Sequence, residues 1–412
     1  MSSLSLQWVG QEAVDRISLT RQRCYSPALG QAEKFDLATK LDGRAKAGDI
    51  LLATRDGHDV GTATSLSLNM WFRGARVACQ GVAWVGTIKT GRRGGTSDGQ
   101  RGIASQIMAE TIRLGRDRGQ IVSALMPFRV SFYEHFGYGN AERRTEWTVP
   151  LSILPKGDFD GYRFYEAADD TKLLELRDRE AKNGQCDIET DAAALANYQR
   201  EWANGFGFVD QPVKGGPIEG WVRIVEDRNP QAATAVIDDW SASSPAAFRR
   251  MLHFLASLKD QYSVARITLP GDLPLNRLLR ESQMPHRQVD HLVSNARPYT
   301  RMQLRVLDHK RLLEAMKLPA TMAGKLNLAI KECEGTTMRL TLDFDGGRCK
   351  VGSASGDADA TMTDVMWASI VTGDLSASAT RPFGLIECRS DAAMALLEGF
   401  AVGPTPFCQE YF

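Results

Sequence analysis

One stretch between residues 81 and 108 constrains the fold more than any other part of the chain. It begins with the apolar run Gly81–Ile88, continues through a glycine- and arginine-rich segment at 89–101, and shows helical spacing from Gly102. This pattern predicts a strand, a loop and the first turns of a helix. A loop that leads into a helix offers unpaired backbone N–H groups and the positive end of the helix dipole. The stretch is therefore typical of a pyrophosphate-binding loop, or else of a plain surface connection.

Composition narrows what such a chain can do. Its 412 residues suffice for two or three domains, and 50 basic residues balance 50 acidic ones, so no overall field favours nucleic acid or an anionic membrane. No apolar run approaches the roughly 20 residues that span a bilayer, and no signal-peptide pattern opens the chain. The 7 cysteines include no C-x-x-C pair and the 6 histidines no H-x-x-x-H spacing. We therefore expect reduced thiols in a cytoplasmic protein, and no metal site.

The elements around the opening stretch follow a definite order. An Asp-Gly pair at 56–57 between two apolar runs predicts an antiparallel hairpin. The predicted elements up to residue 150 are helices at 11–24 and 27–48, strands at 50–54 and 60–71, the strand–loop–helix of 81–119, a strand at 120–126, a short helical turn within 131–139 and a closing strand at 144–150.

This order resembles that of the GNAT acyltransferases. The segment PFRVSFYEHFGY at 127–138 is similar to a motif of the enhanced intracellular survival (Eis) family of N-acetyltransferases, which carries that family's catalytic tyrosine. Residues 1–150 thus resemble the catalytic, acetyl-CoA-binding GNAT domain of that family. The chain ends in Phe407-Cys408-Gln409-Glu410-Tyr411-Phe412, an aromatic terminus that also fits.

The remainder of the chain extends the resemblance over its full length. Residues 151–297 repeat the GNAT order more weakly, with a capped helix from Ser244-Pro245 and a further helix predicted at 273–282. No glycine or arginine lies between Trp240 and Phe248, so this second GNAT-like domain lacks a cofactor loop. Residues 298–412 resemble a sterol-carrier-protein-like domain that delivers the C-terminal carboxylate. The fold class predicted is α+β: two tandem GNAT folds followed by this smaller domain.

The resemblance implies acetyl-CoA as co-substrate and a set of residues that contact it. A bulged strand near Val85 would free an N–H for the thioester carbonyl, an oxyanion-hole role. The loop departs from the family's pattern at one position. Gly102-Ile103-Ala104 fits the family's G-x-A, but Gly99 stands where the family has Arg or Gln. Either Arg92-Arg93 or Gln100-Arg101 could therefore contact the phosphates. The predicted contacts are Val85, Gly86, Thr87, Arg92, Arg93, Gln100, Arg101, Gly102, Ile103, Ala104, Ser105, Phe128 and Arg129.

Two groups are expected to move protons. Tyr133 is the predicted general acid, since a phenol with a pKa near ~10 is protonated at neutral pH and can donate to a leaving thiolate. The alternative, an aromatic core residue, fits its neighbours Phe132, Phe136 and Tyr138 better. The family's base is the C-terminal carboxylate, here that of Phe412; a frayed terminus is the alternative.

These features predict an acetyl-CoA-dependent N-acetyltransferase that acts on amines of polycationic small molecules such as aminoglycosides, by direct transfer in a ternary complex. A protein-lysine acetyltransferase, or an apolar-ligand or lipid-binding protein with an inactive GNAT domain, are the alternatives. The resemblance implies a homo-oligomer, specifically a hexamer, and neither nucleic acid nor membrane is an expected partner.

Overall fold

The computed structural model describes residues 4–26, 43–91, 102–202, 204–229, 232–282 and 288–412. The chain divides into two compact units, the first formed by 1–141, 302–403 and 411–412, and the second by 142–301 and 404–410. The expected mixed α+β architecture is confirmed, with strands in three sheets. Within the described ranges, no helix has the length and apolar character needed to cross a membrane.

The first unit opens with a twisted sheet and the helix that connects two of its parallel strands. Its first elements are β1 Ser5–Val9, α1 Val14–Tyr25, β2 Ile50–Arg55, β3 His58–Phe72, β4 Ala75–Thr87, α2 Ile103–Asp117, β5 Val122–Leu125, α3 Val130–Glu134 and β6 Gly139–Asn140. The strand order is β1-β2-β3-β4-β5-β15-β6, where β15 is Gln303–Val306. Strands β4 and β5 are parallel because α2 crosses between them.

The Asp56-Gly57 hairpin is confirmed between β2 and β3. Both residues have positive φ, 53° at Asp56 and 77° at Gly57, as a tight turn between twisted antiparallel strands requires. Residues 27–42 of the second predicted helix lie outside the described residues.

Helix α2 packs on the first sheet along the face that its periodicity predicts. Ile107 and Met108 are fully buried against the sheet. Gln80 is also fully buried and donates to the carbonyl of Thr111 at 2.7 Å. A Cβ at Gly115 would lie 2.6 Å from Gln80 Oε1, so the missing side chain lets the helix approach this buried amide. These contacts fix the distance between α2 and β4.

The second unit contains a sheet of similar design. Its elements are β7 Arg144–Pro150, β8 Tyr162–Phe164, α4 Asp170–Asn183, β9 Asp187–Ile188, α5 Ala192–Glu201, β10 Gly205–Asp210, β11 Gly220–Asn229, β12 Ala232–Ala242, α6 Pro245–Ser257, β13 Val264–Pro270 and β14 Asn295–Tyr299. The strand order is β14-β7-β13-β12-β11-β10-β8, with β12 and β13 parallel.

The helix predicted at 273–282 is wrong. Only Leu275–Arg277 forms a single 3-10 turn there. Pro274 disfavours a helical conformation at the residue before it, and Leu275 and Leu279 are buried without a longer helix.

The third sheet and its helices belong to the first unit. Their bounds are α7 His309–Ala315, β16 Gly324–Lys331, β17 Thr337–Asp345, β18 Arg348–Ser353, β19 Ala360–Thr363, α8 Asp364–Thr372, α9 Ala377–Thr380, β20 Glu387–Cys388 and α10 Asp391–Glu398. The strand order is β18-β17-β16-β19-β20. The ring of Phe400 contacts Trp367 at 5.6 Å and Phe344 at 6.1 Å between centroids. These buried rings fill the interior of this part of the unit.

Two strands lie in sheets other than those that the sequence predicts. Arg144–Pro150 does not close the first sheet; it is β7, between β13 and β14 of the second unit. Gln303–Val306, expected to start the C-terminal domain, pairs with β5 in the first sheet instead. Both segments have strand-like patterns, but local sequence does not specify which distant strand each one joins.

Candidate active site

Strands β4 and β5 separate within the strand–loop–helix of residues 81–108, where the sequence predicts a bound ligand. Their parallel pairing runs from Cys79–Val122 to Val82–Leu125. Strand β4 continues to Thr87, whereas β5 ends and Pro127 follows. Beyond Val82, the side of β4 that faced β5 therefore has no strand partner within the described residues. A splayed pair of this kind leaves backbone groups available to an extended ligand.

The predicted bulge in β4 is present. The pairing of β3 with β4 passes from Thr62–Gly86 to Thr64–Ala83, so Trp84 and Val85 face a single residue. Trp84 has φ of 53°, an uncommon conformation for a bulky residue and typical of a strained functional position. A bulge redirects the backbone groups of the extra residues, here toward the splayed side.

Helix α1 supports this strained residue. The guanidinium of Arg21 lies 4.5 Å from the Trp84 ring centroid, and the Tyr25 ring meets Trp84 edge-on at 5.5 Å. Arg21 also donates to Thr64 Oγ1 at 2.9 Å. A cation and an aromatic edge on one indole stabilise it by about 1 kcal/mol or more, an energy comparable to the strain at such a backbone position.

Helix α2 presents an uncapped N-terminus beside the bulge. Gly102 is its N-cap residue and supplies no side-chain hydrogen bond. The first intrahelical bond runs from the N–H of Gln106 to the carbonyl of Gly102 at 3.1 Å. The N–H groups of Ile103, Ala104 and Ser105 therefore have no intrahelical acceptor, and the positive end of the helix dipole adds to their attraction for an anion.

A cavity of about 440 Å³ joins these features. Its walls are mostly apolar, and its polar parts include the helix N-terminus and the exposed Lys89. The residues that line it are Cys24, Tyr25, Val85, Gly86, Thr87, Lys89, Gly102, Ile103, Ala104, Phe128 and Phe132. An apolar channel with a cationic, N–H-rich mouth suits a ligand with a lipophilic arm and a phosphate group.

The structure brings together one part of the predicted cofactor set. Val85, Gly86, Thr87, Gly102, Ile103, Ala104 and Phe128 all line this cavity. Arg129 is exposed outside its lining, and Ser105 lines a neighbouring cavity of about 500 Å³. The remaining four predicted contacts, Arg92, Arg93, Gln100 and Arg101, lie outside the described residues.

Sequence reasoning missed Cys24, Tyr25, Lys89 and Phe132. The first two end a helix that reads from its sequence as an ordinary amphipathic element. A signal is present in retrospect: Arg21 and Tyr25 are four residues apart, and so share one helix face. A Cβ at Gly86 would lie 2.9 Å from the Tyr25 hydroxyl, which explains why the strand has glycine at that position.

Tyr133 lies directly behind the cavity wall. Its ring contacts Phe132 at 4.9 Å and Phe128 at 5.8 Å between centroids, and both of those rings line the cavity. The side chain is 4% exposed, and burial raises the pKa of the phenol above its ordinary value, so it stays protonated. Among the described residues the Tyr133 hydroxyl has no hydrogen-bond partner.

Tyr138 differs from Tyr133 in one decisive respect. It is fully buried, and its hydroxyl is 2.7 Å from Ser123 Oγ, which itself donates to Gln80 Oε1 at 2.8 Å. Burial raises the pKa of Tyr138 to about 12. The Tyr138 hydroxyl is thus hydrogen-bonded within the core, whereas the Tyr133 hydroxyl has no such bond among the described residues.

The C-terminal residue is buried in the first unit, beside β4. A Cβ at Gly81 would lie 3.0 Å from Cδ2 of Phe412, so the absence of a side chain at Gly81 makes room for the terminal ring. Arg44 Nη1 donates to the carbonyl of Tyr411 at 2.9 Å. The terminus is therefore held in place, where most chain ends fray.

One cluster of candidate metal ligands occurs in the described part of the chain. The ligand atoms of Cys333, Glu334 and Asp364 lie within 4.8 Å of one another. Arg305 makes an ion pair with Glu334 at 2.5 Å, and Asp364 accepts the N–H of Cys333 at 2.8 Å. The carboxylates already have partners, and the neighbouring guanidinium disfavours a cation.

Comparison with known proteins gives the same assignment in both halves of the chain. The acetyltransferase (GNAT) domain family matches residues 11–141, and a second family of the same description matches 198–306. An uncharacterized N-acetyltransferase of Streptomyces avermitilis is 26% identical, over 94% of this chain and 93% of its own length.

Solved structures match the fold over the full length. A GCN5-related N-acetyltransferase from Anabaena variabilis superposes with a TM-score of 0.83 at 18% identity, with 100% of each chain covered. Eis1 from Mycobacterium abscessus superposes with a TM-score of 0.80 at 19% identity, again over 100% of each chain. The predicted two GNAT folds and smaller C-terminal domain are thereby confirmed. The chain belongs to the GNAT N-acetyltransferases, as a tandem member with the Eis architecture.

Proposed function

We propose that this N-acetyltransferase uses acetyl-CoA to acetylate amines of polycationic small molecules such as aminoglycosides, by direct transfer in a ternary complex. The observation that carries the proposal is the cavity between the bulged end of β4 and the uncapped N-terminus of α2. Its apolar walls fit a pantetheine arm, and its N–H-rich mouth fits a pyrophosphate.

The residues that would hold acetyl-CoA follow from this fit. Gly102, Ile103 and Ala104 line the mouth and would bind the pyrophosphate through their backbone. Val85, Gly86 and Thr87 form the splayed end of β4, line the cavity and would bind the pantetheine arm. When bound, acetyl-CoA supplies the thioester whose acyl carbon is attacked by the amine. The N–H of Val85, at the bulge, would stabilise negative charge on the acyl oxygen.

Tyr133 and Phe412 would handle the protons. The phenol of Tyr133 carries its proton throughout the neutral range and would donate it to the departing thiolate. The terminal carboxylate of Phe412 would take a proton from the amine, directly or through water. Its negative charge also favours a cationic acceptor. The Eis resemblance implies a homohexamer, and the dispersed cysteines without a C-x-x-C pair favour a cytoplasmic location; both are part of this proposal.

An activity screen tests the substrate class. The protein is incubated with acetyl-CoA and aminoglycosides, linear polyamines or lysine peptides, and thiol release and product mass are measured. Turnover with aminoglycosides or polyamines is the expected result. Turnover confined to lysine peptides would replace the small-molecule acceptor by a protein, and stabilisation by a fatty acid without any turnover would support the apolar-ligand alternative.

A charge placed at the α2 N-terminus should weaken acetyl-CoA binding. Ala104→Glu is compatible with the fold because an acidic residue interacts favourably with a helix N-terminus, by about 0.3–1 kcal/mol. The same carboxylate repels a pyrophosphate, so we expect the Kd for acetyl-CoA to rise by about tenfold or more, measured by calorimetry. Ala246→Glu is the matched control, because Ala246 also occupies the second position of its helix, α6. An unchanged Kd in Ala104→Glu would remove the helix N-terminus from the binding site.

A further inference from the structure

The second unit contains an opening of the same design as the candidate cofactor site. Strands β12 and β13 pair in parallel only from Thr234–Val264 to Ile237–Ile267, and β12 then continues to Ala242. A bulge follows at once, because the pairing with β11 passes from Ile237 to Asp239 and leaves Asp238 as the extra residue. This repeats the splay and bulge of β4 and β5.

The helix that follows this opening is closed to phosphate. Ser244 caps α6 by accepting the N–H of Ala247 at 3.1 Å. Pro245, the first helical residue, has no N–H at all. With one donor satisfied and another missing, this N-terminus offers an anion much less than that of α2 does. The opening between β12 and β13 is therefore free for a different occupant.

We infer that this opening is a socket for the C-terminal segment of the chain, residues 404–410, which lies where a pantetheine arm lies in an active GNAT domain. The ring of Phe407 contacts Trp240 of β12 at 6.1 Å between centroids, and the Trp240 indole donates to the carbonyl of Thr268 on β13 at 2.9 Å. The guanidinium of Arg144, a residue of β7, lies 4.2 Å from the centroid of the Phe407 ring.

Backbone hydrogen bonds hold the segment residue by residue. The N–H groups of Phe407, Cys408 and Gln409 donate to the Gln185 carbonyl at 3.0 Å, to Glu142 Oε2 at 3.0 Å and to Asp187 Oδ1 at 2.9 Å. Arg301 Nη2 donates to the carbonyls of Cys408 at 2.6 Å and of Glu410 at 3.1 Å.

Side chains complete the socket. The carboxylate of Glu410 accepts from Thr190 Oγ1 and from the Tyr198 hydroxyl, both at 2.7 Å, and Glu410 is 2% exposed. Glu142 and Arg144 are buried as well, and form an ion pair at 2.8 Å. Buried charges in hydrogen-bonded pairs are costly to break singly, which makes the segment resistant to local opening.

The socket has a consequence for the proposed chemistry, and this part rests on the proposed function. Phe412 follows Glu410 by two residues, and two residues span at most about 7 Å. Anchoring Glu410 therefore limits where the terminal carboxylate can be. Phe407 and Arg301 are accordingly positioning residues: they touch neither substrate nor cofactor, and act through the terminus.

Carboxypeptidase digestion of the folded, full-length protein tests the socket without relying on activity. We expect Phe407→Ala and Arg301→Ala to release Phe412 at least about tenfold faster than the wild-type chain, because release requires the segment to open. Phe407→Tyr, which retains an aromatic ring, should restore resistance. Phe383→Ala, an exposed ring outside the socket, is the matched control. If Phe407→Ala does not fold, Arg301→Lys, which keeps the charge but loses the fork of donors, replaces it.

Kinetics separate this inference from the proposed function. We expect kcat to fall in Phe407→Ala with KM for acetyl-CoA unchanged. Faster release with unchanged kcat would keep the socket and overturn the carboxylate as base. Release of Phe412 at the wild-type rate in both alanine variants would show that the socket does not hold the terminus, whatever the activity.

Discussion

Replacing Tyr133 by phenylalanine is expected to lower kcat by about 10²–10⁴-fold, because the leaving thiolate would lose its proton donor. The ring contacts with Phe128 and Phe132 are kept, and the lost hydroxyl has no hydrogen-bond partner among the described residues, so the Tm should hardly change. Calorimetry should give the same Kd for acetyl-CoA as for the wild type. Steady-state kinetics with a saturating amine provides the measurement.

Tyr138→Phe is the matched control, since it removes a hydroxyl from the same aromatic cluster. That hydroxyl forms a hydrogen bond with Ser123 in the core. Its loss should lower the free energy of unfolding by about 1–3 kcal/mol, with little effect on kcat. A Tyr133→Phe variant that retains kcat within about threefold, or a Tyr138→Phe variant that loses activity without losing stability, would reverse the assignment of the acid.

Extending the chain by Gly-Ser after Phe412 should lower kcat by about 10²-fold or more, because the extension moves the terminal carboxylate two residues away from Phe412, whose ring lies beside Gly81. The deficit should shrink as the pH approaches the pKa of the acceptor amine, near ~10 for an alkyl ammonium. A neutral amine needs no base, so the chain extension matters only while the amine is protonated. A pH–rate profile of wild-type and extended proteins gives the measurement.

Phe412→Leu controls for the apolar side chain, because it retains both a terminal carboxylate and an apolar residue against Gly81. Activity within a few-fold of wild type is expected for this variant. If the extended protein has the same deficit at every pH, the carboxylate is structural and another group deprotonates the amine.

Much of the fold follows from short-range pattern. Apolar periodicity predicts β4 and α2, and Asp56-Gly57 predicts the hairpin between β2 and β3. The position of Tyr133 next to the cavity also follows, since a strand ended by Pro127 and a turn ended by Gly137 leave the intervening segment few positions relative to β5. These outcomes depend on residues close together in the chain.

Other features of the site do not follow from the sequence. The support of Trp84 by Arg21 and Tyr25 depends on how α1 packs on a strand far along the chain. The first sheet takes β15 at 303–306 and leaves Arg144–Pro150 to the second. Each of these strands could join either sheet and keep the same alternation of apolar residues. The choice of sheet therefore depends on the whole fold.

The C-terminus shows most clearly which features follow from local sequence and which depend on tertiary packing. Six residues that read as an aromatic tail, Phe407–Phe412, indicate burial but not what buries them. The sequence by itself determined the strand β4, the helix α2, the aromatic segment that carries Tyr133 and a second domain without a phosphate-binding turn, because each depends on neighbouring residues. Only the tertiary structure decided that the second opening receives the tail and that Gly81 admits the ring of Phe412, since both require surfaces that form when distant segments pack together.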